Sequence, residues 1–149
     1  MRTIERDIVG AFIFSNDGHI LLGKSRPGGV YPDFLIVPGG GVELNESKLE
    51  ALHREIKEEL GLDISNSNAQ LINDTQSGQS EKNLRDTNER VIVKMRFFNF
   101  RVDLPLPAKE IIILLEDDFA AAEWIPVQNL PNTKITEPTQ HTLKKLGYL

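Results

Sequence analysis

Three carboxylates recur at helical spacing between residues 55 and 59. Glu55, Glu58 and Glu59 stand at positions i, i+3 and i+4, so on an α-helix they share one arc of the surface. Like charges at this spacing repel one another by about 0.2–0.5 kcal/mol per pair. A hard divalent cation such as Mg²⁺ or Mn²⁺ relieves that repulsion, because it takes oxygen ligands. The spacing therefore favours a metal site, although a solvated acidic helix face would show the same pattern.

The residues around these carboxylates predict the helix that would hold them. Ser47 can cap its beginning, with Glu50 completing a capping box, and Gly61 stands where a left-handed residue ends a helix. One stripe of this helix is apolar and should pack on a sheet; its members are Leu49, Leu52, Ile56 and Leu60.

A glycine-rich segment precedes the helix. The apolar run 34–37 reads as a strand, and Pro38, Gly39, Gly40 and Gly41 follow it directly. Such a loop lets the backbone approach a metal ion or a phosphate closely. The order strand, glycine loop and helix places backbone groups beside the three glutamates.

The whole stretch resembles the Nudix box of the MutT-type hydrolases. The pattern has Gly40, Glu46 after five residues, then Arg54-Glu55-Ile56, Glu58-Glu59 and Gly61-Leu62, with every fixed position filled. The resemblance implies one Nudix domain over residues 1–149, an α/β (α+β) sandwich in which the box helix packs on a mixed β-sheet and a C-terminal helix follows. It also implies Mg²⁺-dependent hydrolysis of a nucleoside diphosphate linked to another group.

The resemblance implies roles for the acidic arc and the glycines. Glu58 and Glu59 would be direct ligands of Mg²⁺, or of Mn²⁺ in its place. Glu55 would be a third ligand or the base that takes a proton from water. The carbonyl of Gly39 or Gly40 would complete the coordination shell.

Two further charged residues of the box have supporting roles in this reading. Arg54 is expected to point off the arc toward Glu50 and Glu58 and so to orient carboxylates. Glu46, near the start of the helix, would bind metal or pair with Arg54. Gly61 is part of the motif as the end of the helix.

Candidate residues outside the box are fewer. In the resemblance, the segment before the box lies beside the substrate, so Arg26 could meet a phosphate and Tyr31 or Phe34 could stack on a base. A further carboxylate of the family often lies shortly before a strand that contains tryptophan. Asp118, six residues before Trp124, fits that position as a metal ligand, with Glu116 as its rival and a plain acidic loop as the other reading.

The remaining chain predicts a mostly β architecture. Residues 74–88 are polar and are expected to form a mobile loop. The segments expected as strands are Ile8–Phe14 and His19–Lys24 (a hairpin), Ala69–Asn73, Glu89–Val102, Ile111–Leu115 (a strand or a packed segment) and Ala120–Pro126, and a helix is expected over Thr139–Leu146.

Composition excludes several functional classes. The 149 residues carry a net charge of −5, which gives no electrostatic basis for binding nucleic acid. Without cysteine the chain has no disulfides or thiolate metal sites, which fits a cytoplasmic location. Neither a signal peptide nor an apolar run of membrane-spanning length is apparent. The apolar strand at Phe97–Phe100 allows a homodimer.

Substrate choice is inferred by elimination among subfamilies. The chain has Ser77-Gly78 where the ADP-ribose type carries a proline, and it has no tyrosine between Tyr31 and Tyr148, where the dinucleoside polyphosphate type needs one. A nucleoside triphosphate, deoxy or oxidised, is therefore expected as the small-molecule substrate. An NDP-sugar or ADP-ribose pyrophosphatase stays open, as do a nucleotide-sensing module without turnover and a protein whose acidic helix only confers solubility.

Overall fold

A six-stranded mixed sheet forms the centre of the molecule. The computed structural model describes residues 1–25, 33–115 and 119–149. Along the chain the strands are β1 (Arg2–Phe14), β2 (His19–Ser25), β3 (Gly39–Gly41), β4 (Asn68–Asn83), β5 (Arg90–Asp103) and β6 (Phe119–Pro126). Their order in the sheet is β4-β5-β1-β2-β6, with β3 paired to β1.

Strand β1 organises this sheet because it pairs with three others. It runs parallel to β5 from Arg2 opposite Val91 to Phe14 opposite Asp103, and antiparallel to β2 and β3. Its inner half is almost fully buried, as expected for a strand covered on both faces. The mixed α+β architecture predicted from the sequence is confirmed.

Two helices cover opposite faces of the sheet. Helix α1 (Lys48–Leu60) buries Leu52 and Ile56 against one face of β1, whereas α2 (Glu137–Lys145) buries Leu143 against the other. Alternate residues of β1 accordingly belong to separate cores, Val9 with the first and Phe12 with the second. Short 3-10 turns occupy Ala108–Glu110 and Val127–Asn132.

The box helix forms as its sequence predicts. The Ser47 hydroxyl accepts from the Glu50 amide at 3.0 Å, and the Glu50 carboxylate accepts from the Ser47 amide at 3.0 Å, which completes the capping box. Gly61 ends the helix in the left-handed conformation, with φ 67°. Leu49 departs from the prediction, since 47% of it is exposed while the other three apolar residues are buried.

Two segment predictions are wrong, and a third holds only in part. Most of the expected loop 74–88 belongs to β4, which pairs with β5 as far as Asn83 opposite Arg90. The run 34–37 makes only isolated bridges, and the glycines after it form strand β3 instead of a loop. Segment Ile111–Leu115, expected as a strand or a packed segment, forms no strand; Ile111 is buried in the first core and Ile113 packs against it, whereas 76% of Ile112 is exposed.

The helices are short or polar relative to the thickness of a bilayer. None of those in residues 1–25, 33–115 and 119–149 combines the length and the apolar character needed to span one.

Candidate active site

The glycine strand β3 lies between the central strand and the box helix, close to Glu55. A Cβ atom on Gly40 would stand 2.5 Å from both carboxylate oxygens of Glu55, so only glycine leaves room for that carboxylate. On the opposite side, Gly39 lies so close to the Val9 carbonyl that a Cβ there would collide with backbone. The absence of side chains in β3 therefore brings the helix carboxylates against a strand backbone.

Glu59 of α1 is a buried carboxylate that contacts the same strand. Only 4% of the residue is exposed, and its Oε1 atom accepts a hydrogen bond from the Gly39 amide at 2.9 Å. A buried charge is costly unless it is hydrogen-bonded, so a carboxylate retained here is held in place by that contact.

Arg54 connects the other carboxylates. Its guanidinium binds Glu46 through two contacts, Nε to Oε2 at 2.7 Å and Nη2 to Oε1 at 3.0 Å. Nη2 also donates to the Gly41 carbonyl at 2.8 Å, while Nη1 donates to Glu55 at 2.9 Å and to Glu58 at 3.2 Å. Arg54 thus ties the acidic arc to strand β3 and to the turn before the helix.

The prediction that Arg54 points toward Glu50 is wrong. The Glu50 carboxylate caps the helix at the Ser47 amide instead of meeting the guanidinium. Glu46, for which metal binding and pairing with Arg54 were both open, makes the ion pair in this structure.

This ion pair favours the charged form of both groups. The hydrogen bond from Arg54, helped by that from the Glu43 amide, lowers the pKa of Glu46 from 4.5 to about 2. The hydrogen bonds that Arg54 donates to Glu46 raise the pKa of Arg54 above its ordinary value, against the opposing effect of burial. Both groups are therefore charged throughout the physiological range.

The donor set suits a hard divalent cation. Within residues 1–25, 33–115 and 119–149, no three Asp, Glu or His side chains are gathered to hold one ion, and Arg54 Nη1 donates to both Glu55 and Glu58. The chemistry nevertheless fits, since Glu55, Glu58 and Glu59 offer oxygen ligands alone and Gly40 reserves space for one of them. A metal ion would take over from the guanidinium the neutralisation of Glu55 and Glu58.

Two cavities adjoin strand β3, one at Gly41 and the other at Gly39 and Gly40. An open groove of about 1000 Å³ extends from Gly41 and Glu55 to exposed cations of the neighbouring strands, Arg6, Lys94 and Arg96. A smaller cavity of about 270 Å³ begins at Gly39 and Gly40 and lies on the α2 face of the sheet, with mostly apolar walls. The site therefore has one charged side and one apolar side.

The smaller cavity contains polar residues that the sequence analysis did not identify. Asn99 is 6% exposed and donates from Nδ2 to Asn73 Oδ1 and to Gln76 Oε1, each at 2.8 Å. Thr136 and Thr139 at the start of α2 also line this cavity and bond to each other at 2.9 Å. The only sequence signal was an asparagine inside the apolar run Phe97–Phe100.

Of the remaining predicted residues, some lie outside the described part of the chain and the others are described but do not line either cavity. Arg26, Tyr31, Asp118 and Glu116 lie outside the described residues. Phe34 is described and is 38% exposed, but it is not among the residues that line the two cavities. Gly61 serves the helix end, where its Cα packs near Leu114, and lies outside the lining of both cavities.

The sequence is similar to that of known proteins. The NUDIX domain profile matches residues 5–146. The chain is 28% identical over 146 residues to the nucleoside triphosphatase NudI of Salmonella agona, covering 97% of this chain and 99% of that protein. It is 46% identical over 57 residues to the RNA pyrophosphohydrolase of Halorhodospira halophila, covering 38% of this chain and 29% of that one.

Structural comparison shows the same fold. The MutT NUDIX hydrolase from Burkholderia pseudomallei superposes with a TM-score of 0.61 at 23% sequence identity. The match covers 96% of this chain and 98% of that structure.

Proposed function

This chain belongs to the Nudix family and is a pyrophosphohydrolase, and we propose that it hydrolyses a nucleoside triphosphate to a nucleoside monophosphate and pyrophosphate with Mg²⁺ bound by its acidic helix. Water is the second reactant, and one proton is released with the products.

The observation that carries this proposal is the contact of two carboxylates with one glycine strand. Glu59 accepts from the Gly39 amide at 2.9 Å, and Glu55 fills the space that a side chain on Gly40 would need. A strand backbone held against acidic side chains supports a metal site that a polyphosphate can reach without steric obstruction.

The metal ligands are assigned within this arrangement. Glu55, Glu58 and Glu59 would hold the ion, as would the Gly39 carbonyl in preference to that of Gly40. In an antiparallel ladder the N–H and C=O of one residue point to the same side, and the Gly39 amide points toward Glu59. When bound, Mg²⁺ would neutralise phosphate charge and lower the pKa of a bound water.

The protein's own groups then have distinct tasks. Glu55 is assigned as the base that accepts the proton of the attacking water when it is not serving as a ligand, since it borders the open groove. Arg54 holds Glu55 and Glu58 in position, and its two contacts with Glu46 fix the plane of the guanidinium. Arg54 is therefore a positioning residue.

The charged groove supports the position of the phosphates. Arg6, Lys94 and Arg96 line it together with Glu55, so a polyphosphate chain lying there would meet these cations as well as a carboxylate of the metal site. Carboxylates also line this groove, namely Glu5, Asp7, Glu43 and Glu46, so an anionic substrate would depend on these cations together with the bound metal ion.

The smaller cavity supports the position of the nucleoside. It shares Gly39 and Gly40 with the metal site and is mostly apolar with a few polar groups, as is usual for sites that bind a flat heterocycle. The relative named nucleoside triphosphatase aligns along nearly the whole chain, which favours a triphosphate over an NDP-sugar or ADP-ribose.

The test is product release from a nucleotide panel with Mg²⁺, with and without added inorganic pyrophosphatase. The panel holds ordinary, deoxy and oxidised triphosphates, ADP-ribose and nucleotide sugars, with the Glu59→Gln protein as control. Phosphate that appears only with pyrophosphatase, from a triphosphate and not in the variant, is the expected result. Turnover of ADP-ribose or a nucleotide sugar alone would overturn the proposed substrate class. Binding without turnover across the panel would indicate a sensing module.

A further inference from the structure

We propose that Asn99 determines base specificity, by presenting its Oδ1 atom as a hydrogen-bond acceptor to an amino or ring N–H group of the nucleobase. This inference rests on the proposed function, because it takes the smaller cavity to be the nucleoside end of the same site. It goes further by naming the side chain and the polarity of the contact.

The orientation of the Asn99 amide is fixed by a chain of hydrogen bonds. Gln76 Nε2 donates to the Pro138 carbonyl at 3.0 Å, and a backbone carbonyl can only accept. Gln76 Oε1 must therefore point away from Pro138, and it accepts from Asn99 Nδ2 at 2.8 Å. The orientation of the Asn99 amide, that is, which end carries the oxygen, is therefore set by the Pro138 carbonyl in the first turn of α2.

A second acceptor reinforces this orientation. Asn99 Nδ2 also donates to Asn73 Oδ1 at 2.8 Å, so both of its hydrogens are used. Asn73 Nδ2 in turn donates to the Thr142 hydroxyl at 3.2 Å. Reversing the Asn99 amide would place its oxygen against two oxygens, which makes the observed orientation the stable one.

The Oδ1 atom is then left on the cavity side. It lies over Gly10, where a Cβ atom would stand 2.7 Å from it and 3.5 Å from Val37 Cγ2, and Gly10, Val37 and Asn99 all line the cavity. Among the described residues, none donates a hydrogen bond to this oxygen. An asparagine that is 94% buried thus directs a free acceptor into a cavity beside the metal site.

The walls around this acceptor suit a flat ring. Apolar side chains line the cavity that contains it, namely Ile8, Phe12, Val37, Pro38 and Phe97. In such surroundings a hydrogen bond is strong. A ligand that leaves the buried acceptor without a hydrogen bond therefore loses more binding free energy than a ligand that only fits the apolar walls less well. The cavity should therefore accept a base that turns an N–H toward Asn99 and reject one that turns a ring nitrogen or a carbonyl there.

The experiment measures binding of nucleoside monophosphates in the absence of metal, by calorimetry or NMR titration. Each base is compared with an analogue that lacks its amino group, or whose ring N–H is methylated. Wild-type protein should bind the preferred base roughly tenfold more tightly than one of its analogues. This difference in affinity should disappear in Asn99→Leu. It should persist in the control variant Asn68→Leu, which changes an exposed asparagine of the same sheet.

A second variant guards against misfolding of the first, because Asn99→Leu removes the donor from two buried acceptors. Gly10→Ala removes no donor or acceptor of the network, but its methyl group, 2.7 Å from Oδ1, would press on the Asn99 amide and cover the acceptor, so it should also abolish the difference in affinity. The inference is overturned if no monophosphate binds, if no analogue pair differs in wild type, or if the difference survives in both variants. Since binding needs no turnover, these outcomes are distinct from failure of the hydrolase proposal, which is read from pyrophosphate release.

Discussion

Arg54 and Glu46 face each other as a bidentate pair, with Nε to Oε2 at 2.7 Å and Nη2 to Oε1 at 3.0 Å. The pair joins the turn before α1 to the middle of the helix. The same guanidinium reaches Gly41 of β3 and the carboxylates of Glu55 and Glu58. The geometry of the acidic arc therefore depends on an arginine whose orientation is set by a glutamate eight residues earlier in the chain.

This pair predicts a dependence of stability on pH. The folded pKa of Glu46 is about 2, against an ordinary value of 4.5, so its stabilising effect is fully present above pH 4.5 and is lost as the pH falls toward 2. Urea unfolding of metal-free protein across this range should show a smaller loss of unfolding free energy in Glu46→Gln than in wild type. Glu110→Gln, an exposed glutamate, serves as control. Equal slopes for wild type and Glu46→Gln would contradict the assignment.

Glu59 should be needed for activity and not for the fold. Glu59→Gln retains an oxygen that can accept from the Gly39 amide, so packing survives, but it removes the charge that a metal ligand needs. We expect kcat to fall by about 10²-fold or more, with the melting temperature within a few degrees of wild type.

The matched control for this variant is Glu50→Gln on the same helix. Glutamine can replace glutamate in a capping box, so this protein should keep wild-type activity. An active Glu59→Gln protein would refute the proposed site.

The two neighbouring glycines of β3 offer a sharper comparison. In Gly40→Ala the new Cβ would press on the Glu55 carboxylate, whereas in Gly41→Ala it would stand 3.5 Å from Arg6 Nη1, an ordinary contact. We expect kcat/KM to fall by roughly 10²-fold in Gly40→Ala and to change by less than about threefold in Gly41→Ala. Steady-state kinetics with the preferred triphosphate measures both, and equal effects would show that the space at Gly40 is not what positions Glu55.

Local signals explain why the box helix was predictable. The capping residues, the apolar stripe and the terminal glycine all act within a few positions of one another, so the helix from 48 to 60 follows from the sequence. The direction of the Arg54 side chain could not be predicted in the same way. Glu50 could either cap the helix at the Ser47 amide or pair with Arg54, and the outcome depends on where Glu46 and β3 lie in the fold.

Strand β4 was missed for a different reason. It lies at the edge of the sheet, and its polar side chains give no hydrophobic alternation, so only pairing with β5 extends it to Asn83. Strand β3 likewise owes its conformation to β1, since glycine has low strand propensity. The Asn99 cavity brings together residues 26 and 43 positions apart, a proximity that no local pattern encodes.

Gly61 should prove to be a stability residue. Its φ of 67° is unfavourable for alanine, and a Cβ there would stand 3.0 Å from Leu114 Cβ. Gly61→Ala should therefore lower the free energy of unfolding by about 1–2 kcal/mol while leaving kcat/KM within about twofold of wild type. Gly61→Asn should cost less, because asparagine tolerates this conformation. Loss of activity in a fully folded Gly61→Ala protein would instead place Gly61 in the site.

Mg²⁺ should stabilise the folded protein before any substrate is present. A ligand that binds only the native state raises stability by RT ln(1 + [Mg²⁺]/Kd), or about 2.7 kcal/mol at a hundredfold excess over Kd. The gain is opposed by the loss of the Arg54 contacts with Glu55 and Glu58, which the cation must replace. Thermal melts over a Mg²⁺ series should therefore shift upward in wild type and in Glu50→Gln, and should not shift in Glu59→Gln. A flat series in wild type, or an equal shift in all three proteins, would show that the acidic arc does not bind the ion.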